Sequence, residues 1–135
     1  MEAIRAADMV VMPMQPSPAD LWAIQDTHKL VLGELRPHVA VLTRVVPNAK
    51  NTDEIRKKLM ILDIPYAKST LGNRVVFPNS MEQGKTVLDL GNSTSTDEVN
   101  ALVKEIAKLM DIELKEEAKT TTSKLKNILS FRKAS

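Results

Sequence analysis

The chain has 135 residues, 43% of them hydrophobic, with 19 basic against 17 acidic side chains and a formal charge of +2. That length suits one domain with a real core, and a balance so near even excludes any global demand for a nucleic-acid partner. The absence of cysteine excludes a disulfide scaffold, a thiolate zinc site and a cysteine nucleophile.

Trp22, Tyr66, Phe77 and Phe131 are the only aromatic residues, so the core must be built from Leu, Ile, Val and Met. Met9 to Met14 is short and continuously apolar, the pattern of a strand covered on both faces. Ser17 then reads as an N-cap, with Pro18 at the first helical position and Asp20 at N3, where a carboxylate meets the positive end of the dipole. Leu21, Ile24, His28, Val31 and Leu35 follow at spacings of three and four, one stripe of a helix that Pro37 stops. Val39 to Val46, closed by Pro47, is the next buried-strand candidate. Asn51-x-x-Glu54 has the form of a capping box, and Ile55, Leu59 and Leu62 mark the inner face of a second helix.

Ile64 to Ala67 reads as a short third strand, and Val75 to Glu82 as a short helix. Thr86 to Leu90 is a brief β-like run ending at Gly91. Ser95-x-x-Glu98 forms a second capping box, followed by Val99, Leu102, Val103, Ile106, Leu109 and Met110 on one helical face. Strands alternating with helices predict an α/β fold with a parallel sheet. Residues 1–111 make up that body. Residues 112–135 carry six Lys or Arg against three Glu, a basic tail with a last turn or two through Leu125, Ile128 and Leu129.

No apolar run approaches the roughly 20 residues that span a bilayer, and Met-Glu-Ala-Ile-Arg is not a signal peptide, so the expected location is cytoplasmic with no membrane partner. Asn92-Ser93-Thr94 matches a glycosylation triplet that matters only in a secreted chain. Gly84-Lys85-Thr86 ends like a phosphate-binding loop, but Asn79 stands where the first glycine belongs and Val87-Leu88-Asp89-Leu90 does not open a helix, so a turn is expected. His28 and His38 have no carboxylate or second histidine at a ligand spacing and read as structural, leaving no predicted metal site. No catalytic group is assigned. Arg44 lies at a strand's carboxyl end, on the same edge as Gln15 to Pro18, where open α/β sheets place ligands. Arg74 follows Gly72 in a loop and is available to an anion. The basic tail reads as a solvated end, or, through Lys115, Lys119, Lys124, Lys126, Arg132 and Lys133, as a sequence-independent DNA contact.

Four segments then fall into a known order. Ala7-Asp8-Met9-Val10-Val11-Met12-Pro13-Met14-Gln15-Pro16-Ser17-Pro18-x-Asp20-Leu21-Trp22-Ala23 resembles the stretch of ParA-type partition ATPases that follows their catalytic aspartate strand. Thr43-Arg44-Val45-Val46-Pro47 resembles the family's Asn-Arg-Val-x-Pro near the adenine pocket. Leu71-Gly72-Asn73-Arg74-Val75-Val76-Phe77 and Gly84-x-Thr86-Val87 resemble its Ile-Gly-Gln-Arg-Val-Ala-Tyr and Gly-x-Thr-Val. The likeness runs from about Glu2 to Met110. It implies a partial P-loop NTPase-like, Rossmann-like sheet flanked by helices, with Thr43, Arg44 and Pro47 on the adenine side and Arg74 with the tail on a DNA-facing surface. The family uses ATP and Mg²⁺, binds nonspecific DNA and meets a centromere-binding, ParB-like partner.

Two departures shape the expectation. Thr43 stands where the family has Asn. The sequence also contains neither the family's Lys-Gly-Gly-x-x-Lys-Thr loop nor its Asp-x-x-Pro strand, so the phosphates, Mg²⁺ and attacking water have no holders in it. The expected role is a C-terminal half of a ParA-like protein, not catalytic alone, needing no cofactor by itself and pairing with a companion ParA-like chain. The alternatives are a regulatory interaction module and a DNA-binding accessory, either acting with an intact partition ATPase in the cytoplasm or at the nucleoid.

Overall fold

Ser17 caps a helix as its sequence context predicts. In the computed structural model, which describes residues 1–111, its Oγ accepts the Asp20 N–H at 3.2 Å, and Pro18 opens the helix. The Asp20 carboxylate reaches back to the Gln15 N–H at 2.7 Å, so one turn fastens the loop to the helix. Ser17→Ala is expected to cost about 1 kcal/mol of unfolding free energy, read from the urea midpoint.

In chain order the elements are α1 (Glu2–Ala6), β1 (Val10–Met14), α2 (Pro18–Gly33), β2 (His38–Leu42), α3 (Lys50–Ile61), α4 (Val76–Glu82), a 3-10 turn (Val87–Leu90) and α5 (Thr94–Leu109). Strands β1 and β2 run parallel, in a register from Val10 opposite His38 to Met14 opposite Leu42. Met12, Met14, Ala40 and Leu42 project to one face, where Leu21, Ile24 and Val31 of α2 and Ile55 and Leu59 of α3 cover them. Val39 and Val41 project to the other face and meet Ala67 and Leu102 of α5. The α/β class and the parallel pairing are therefore present, in a small sheet.

Several elements differ from the sequence expectation, each for a local reason. The strand expected over Val39 to Val46 ends at Leu42, because Arg44 takes φ +51°, outside the extended region, and turns the chain away. The expected strand Ile64 to Ala67 is one bridge, Ala40 to Tyr66, held by Ala40 N–H to Pro65 O and Ala67 N–H to Ala40 O. The β-like run Thr86 to Leu90 is a 3-10 turn. Asp89 accepts both the N–H and the hydroxyl of Thr86, a local closure that leaves no strand to pair.

Neither expected capping box forms. Ala49 precedes α3, and Asn51 instead donates its amide to Pro16 O at 3.1 Å, tying α3 to the loop after β1. Ser93, not Ser95, caps α5 by accepting the Thr96 N–H. Leu35 leaves the α2 stripe: it follows the helix at φ +52° and is exposed. Helix α1, not anticipated, is held by Arg5 to Glu34 at 2.8 Å and by Arg36 donating to Arg5 O. The expected tail, 112–135, with its turn through Leu125, Ile128 and Leu129, lies outside the described residues.

Candidate functional site at the end of strand β2

Where β2 ends, the chain makes a sharp exit that creates a cleft. Thr43 still follows the sheet, donating its N–H to Met14 O at 2.8 Å and its hydroxyl to the same oxygen at 3.3 Å. Arg44 then swings out at φ +51°. Val45 returns to bridge Gly72, with Val45 N–H to Leu71 O at 3.0 Å and Asn73 N–H to Val45 O at 2.9 Å. Between this hook and α4 lies a cleft of about 570 Å³, walled by Thr43, Arg44, Leu71, Arg74, Phe77 and Met81.

Its floor is set by a carboxylate clamp from α5. Glu98 accepts the Gly72 N–H at 3.0 Å and meets the Arg74 guanidinium at 2.7 Å from Nη2. The hydrogen bond from Arg74 is the main reason the Glu98 carboxyl sits below its ordinary value; burial opposes it and the Gly72 N–H reinforces it. The same pairing raises the Arg74 guanidinium. Two turns further along α5, Glu105 accepts the N–H groups of Lys68 and Ser69 at 2.6 and 2.8 Å. Burial works against its ionised form, but those hydrogen bonds together hold its carboxyl below the ordinary value. Residues seven apart share one helix face, so α5 grips the loop 68–74 at two points. Gly72 fits closely here: a Cβ would stand 3.0 Å from Arg74 Nε and 3.2 Å from Glu98 Oε1, so the clamp would have to give by a few tenths of an ångström.

The structure thus brings Thr43, Arg44 and Arg74 to one cleft. It leaves Pro47 in a neighbouring groove of about 380 Å³ beside Lys50, Asp53 and Arg56. Thr43 spends its hydroxyl on Met14, and Arg74 spends its charge on Glu98, whereas Arg44 makes no ion pair among the described residues. Lys124, Lys126, Arg132 and Lys133 lie outside the described residues. Gly84-Lys85-Thr86 is a turn after α4, as expected, with Gly84 at φ +66° and the Lys85 N–H on Ser80 O.

Sequence reasoning missed Glu98 and Glu105 as clamps. The one signal was their i, i+7 spacing on the polar side of α5, and Glu98 had been absorbed into a capping box. It also missed Phe77 and Met81 as cleft walls, because α4 has no period long enough to assign a face.

No family model matches the chain. Over 106 residues it is 26% identical to the "Maintenance of carboxysome distribution protein A" of Halothiobacillus neapolitanus, an alignment that covers 73% of this chain and 49% of that protein. The chain therefore spans about half the length of the curated relative it matches. No helix among the described residues is long and apolar enough to cross a membrane.

Proposed function

We propose that this chain is a ParA-type positioning polypeptide, one half of a P-loop, Rossmann-like ATPase domain, which turns over no ATP alone and works by docking on a companion chain. The likeness to a carboxysome distribution protein supports the family side of this reading, as does the order of the four segments.

The open edge of β1 carries the docking side. Val10 N–H bonds to Pro37 O, and Met14 O accepts from Thr43, so the even-numbered residues of β1 face β2. N–H and C=O groups alternate along a strand, which sends those of Val11 and the carbonyl of Pro13 to the other edge. No strand among the described residues pairs there. A groove of about 360 Å³ runs beside this edge, lined by Val11, Pro13, Ala23, Ile24 and Thr27. Trp22 stands on the same helix, 71% exposed. A bare parallel edge with an apolar groove next to it is a place where a further strand adds.

The cleft suits part of a nucleotide. Leu71, Phe77 and Met81 give a flat apolar ring a wall, and Arg44 adds a cation at the rim. The same residues do not suit a triphosphate with Mg²⁺. The sequence has no Lys-Gly-Gly-x-x-Lys-Thr loop, Arg74 is neutralised by Glu98, and no cluster of metal-binding carboxylates is gathered among the described residues. In this reading the phosphate holders lie outside these 135 residues, and Lys124, Lys126, Arg132 and Lys133 add a nonspecific, salt-sensitive DNA contact.

Purified alone, the chain is expected to hydrolyse no ATP. Co-expression with a ParA-type polypeptide carrying the phosphate loop should give a stable complex with turnover, lost when Val11→Lys puts a charge on the open edge. Turnover by the isolated chain would overturn the proposal. Association with an intact ParA-type ATPase that changes only that enzyme's rate would move the role to regulation.

A further inference from the structure

Away from the cleft, at the amino-terminal end of β2, two imidazoles meet. His28 from α2 is buried, and His38 opens the strand. Their ring centroids are 4.9 Å apart with the planes tilted by 57°. Both Nε2 atoms are buried and neither has a hydrogen-bond partner, an unusual state for polar atoms on two neighbouring rings. His38 Nδ1 lies 2.9 Å from Arg36 O. A carbonyl only accepts, so Nδ1 carries the proton, and in the neutral ring Nε2 then presents a lone pair. Fixing one ring nitrogen on a backbone carbonyl is how proteins orient a histidine for a metal.

We propose that His28 and His38 form a two-imidazole site for a borderline divalent cation of the zinc class, with water completing the coordination. Two imidazoles bound through Nε2 to one tetrahedral ion, at about 2.0–2.1 Å each, hold their ring centroids roughly 5 Å apart, in keeping with the spacing observed. An ion reached by both Nε2 atoms would satisfy the two orphaned nitrogens at once. The rings line a cleft of about 910 Å³ that also holds Asp63, Tyr66, Met60 and Leu62, which gives an entry path and a carboxylate to attract a cation.

Imidazole donors select zinc, nickel or copper(II) over calcium and magnesium, which want oxygen. No group of three or more His, Cys, Asp and Glu donors is gathered among the described residues, so the site is open and weaker than a structural zinc cage. It would join α2 to β2 and favour the folded state by mass action.

The chain has only these two histidines, so the test is specific. The tag-free, full-length protein is titrated with Zn²⁺ by calorimetry, and its histidine ring resonances are followed by NMR. One equivalent should bind, both imidazoles should shift together, and Zn²⁺ should raise the melting temperature. His28→Leu and His38→Leu, which replace a buried orphan by an apolar group, should stay folded and weaken binding roughly tenfold or more. Should a leucine variant unfold, the wild-type ring resonances decide alone. Imidazole signals unmoved at saturating Zn²⁺, or leucine variants that bind as tightly as wild type through surface carboxylates, would overturn the site.

Discussion

Leu42→Ala is expected to lower the unfolding free energy by about 3 kcal/mol, read as a drop in urea midpoint at unchanged slope. Leu42 is 0% exposed and ends β2. Its side chain belongs to the cluster that joins the sheet to Leu21, Ile24 and Val31 of α2 and to Ile55 and Leu59 of α3. These neighbours sit on two separate helices, each anchored by its own hydrogen bonds, so they cannot collapse into the vacated space. The cavity term therefore adds to the lost burial. Leu42 O also accepts the Leu71 N–H at 3.0 Å, which couples the core to the cleft wall. Faster amide exchange at Leu71 and Thr43 should accompany the loss. Met60→Ala, on the same α3 but 62% exposed, is the control and should move the midpoint far less. A shift for Leu42→Ala no larger than that control's would mean that the sheet and its helices are not closed on each other.

That core was legible in the sequence because it rests on periodicity. Met9 to Met14 and the stripe Leu21, Ile24, His28 and Val31 announce a buried strand and a one-sided helix, and burial of Met12, Met14, Leu21, Ile24 and Val31 agrees. Ser17-Pro18-x-Asp20 was legible for a different reason, since a cap is a local hydrogen-bond problem with few solutions. What failed were features decided at a distance. Val45 and Val46 have strand propensity, but a strand needs a neighbour, and the φ of Arg44 sends the chain to Gly72 instead. Ser95-x-x-Glu98 satisfies the capping pattern, yet Ser93 takes the cap and releases Glu98 for Gly72 and Arg74, 24 and more positions away in sequence. The cleft was half legible: Thr43, Arg44 and Arg74 were singled out, while the charge that neutralises Arg74 sits on a helix that reads only as amphipathic.

Acid should release that helix. Glu98 and Glu105 both have folded-state values below the ordinary 4.5, so the unfolded chain takes up their protons first as the pH falls. Their contribution is therefore fully present above about pH 4.5 and is lost as the pH drops through the lower folded values. At neutral pH, Glu98→Gln is expected to cost about 1–2 kcal/mol, reduced from the buried case because Arg74 is one-third exposed to solvent. The Glu98→Gln, Glu105→Gln double variant should cost more, and its deficit against wild type should shrink toward zero as acid protonates the wild-type pair. Glu34 and Asp89 are also held low, by Arg5 and by Thr86, and leave the double variant a residual acid slope. Hydrogen exchange assigns the loss to a place. The amides of Lys68, Ser69 and Gly72 donate to these two carboxylates, so their protection should fall with the stability, ahead of Val39 and Val41 in the strand. If those three amides stay protected while the midpoint drops, the acid-sensitive contact lies elsewhere and α5 does not depend on its two clamps.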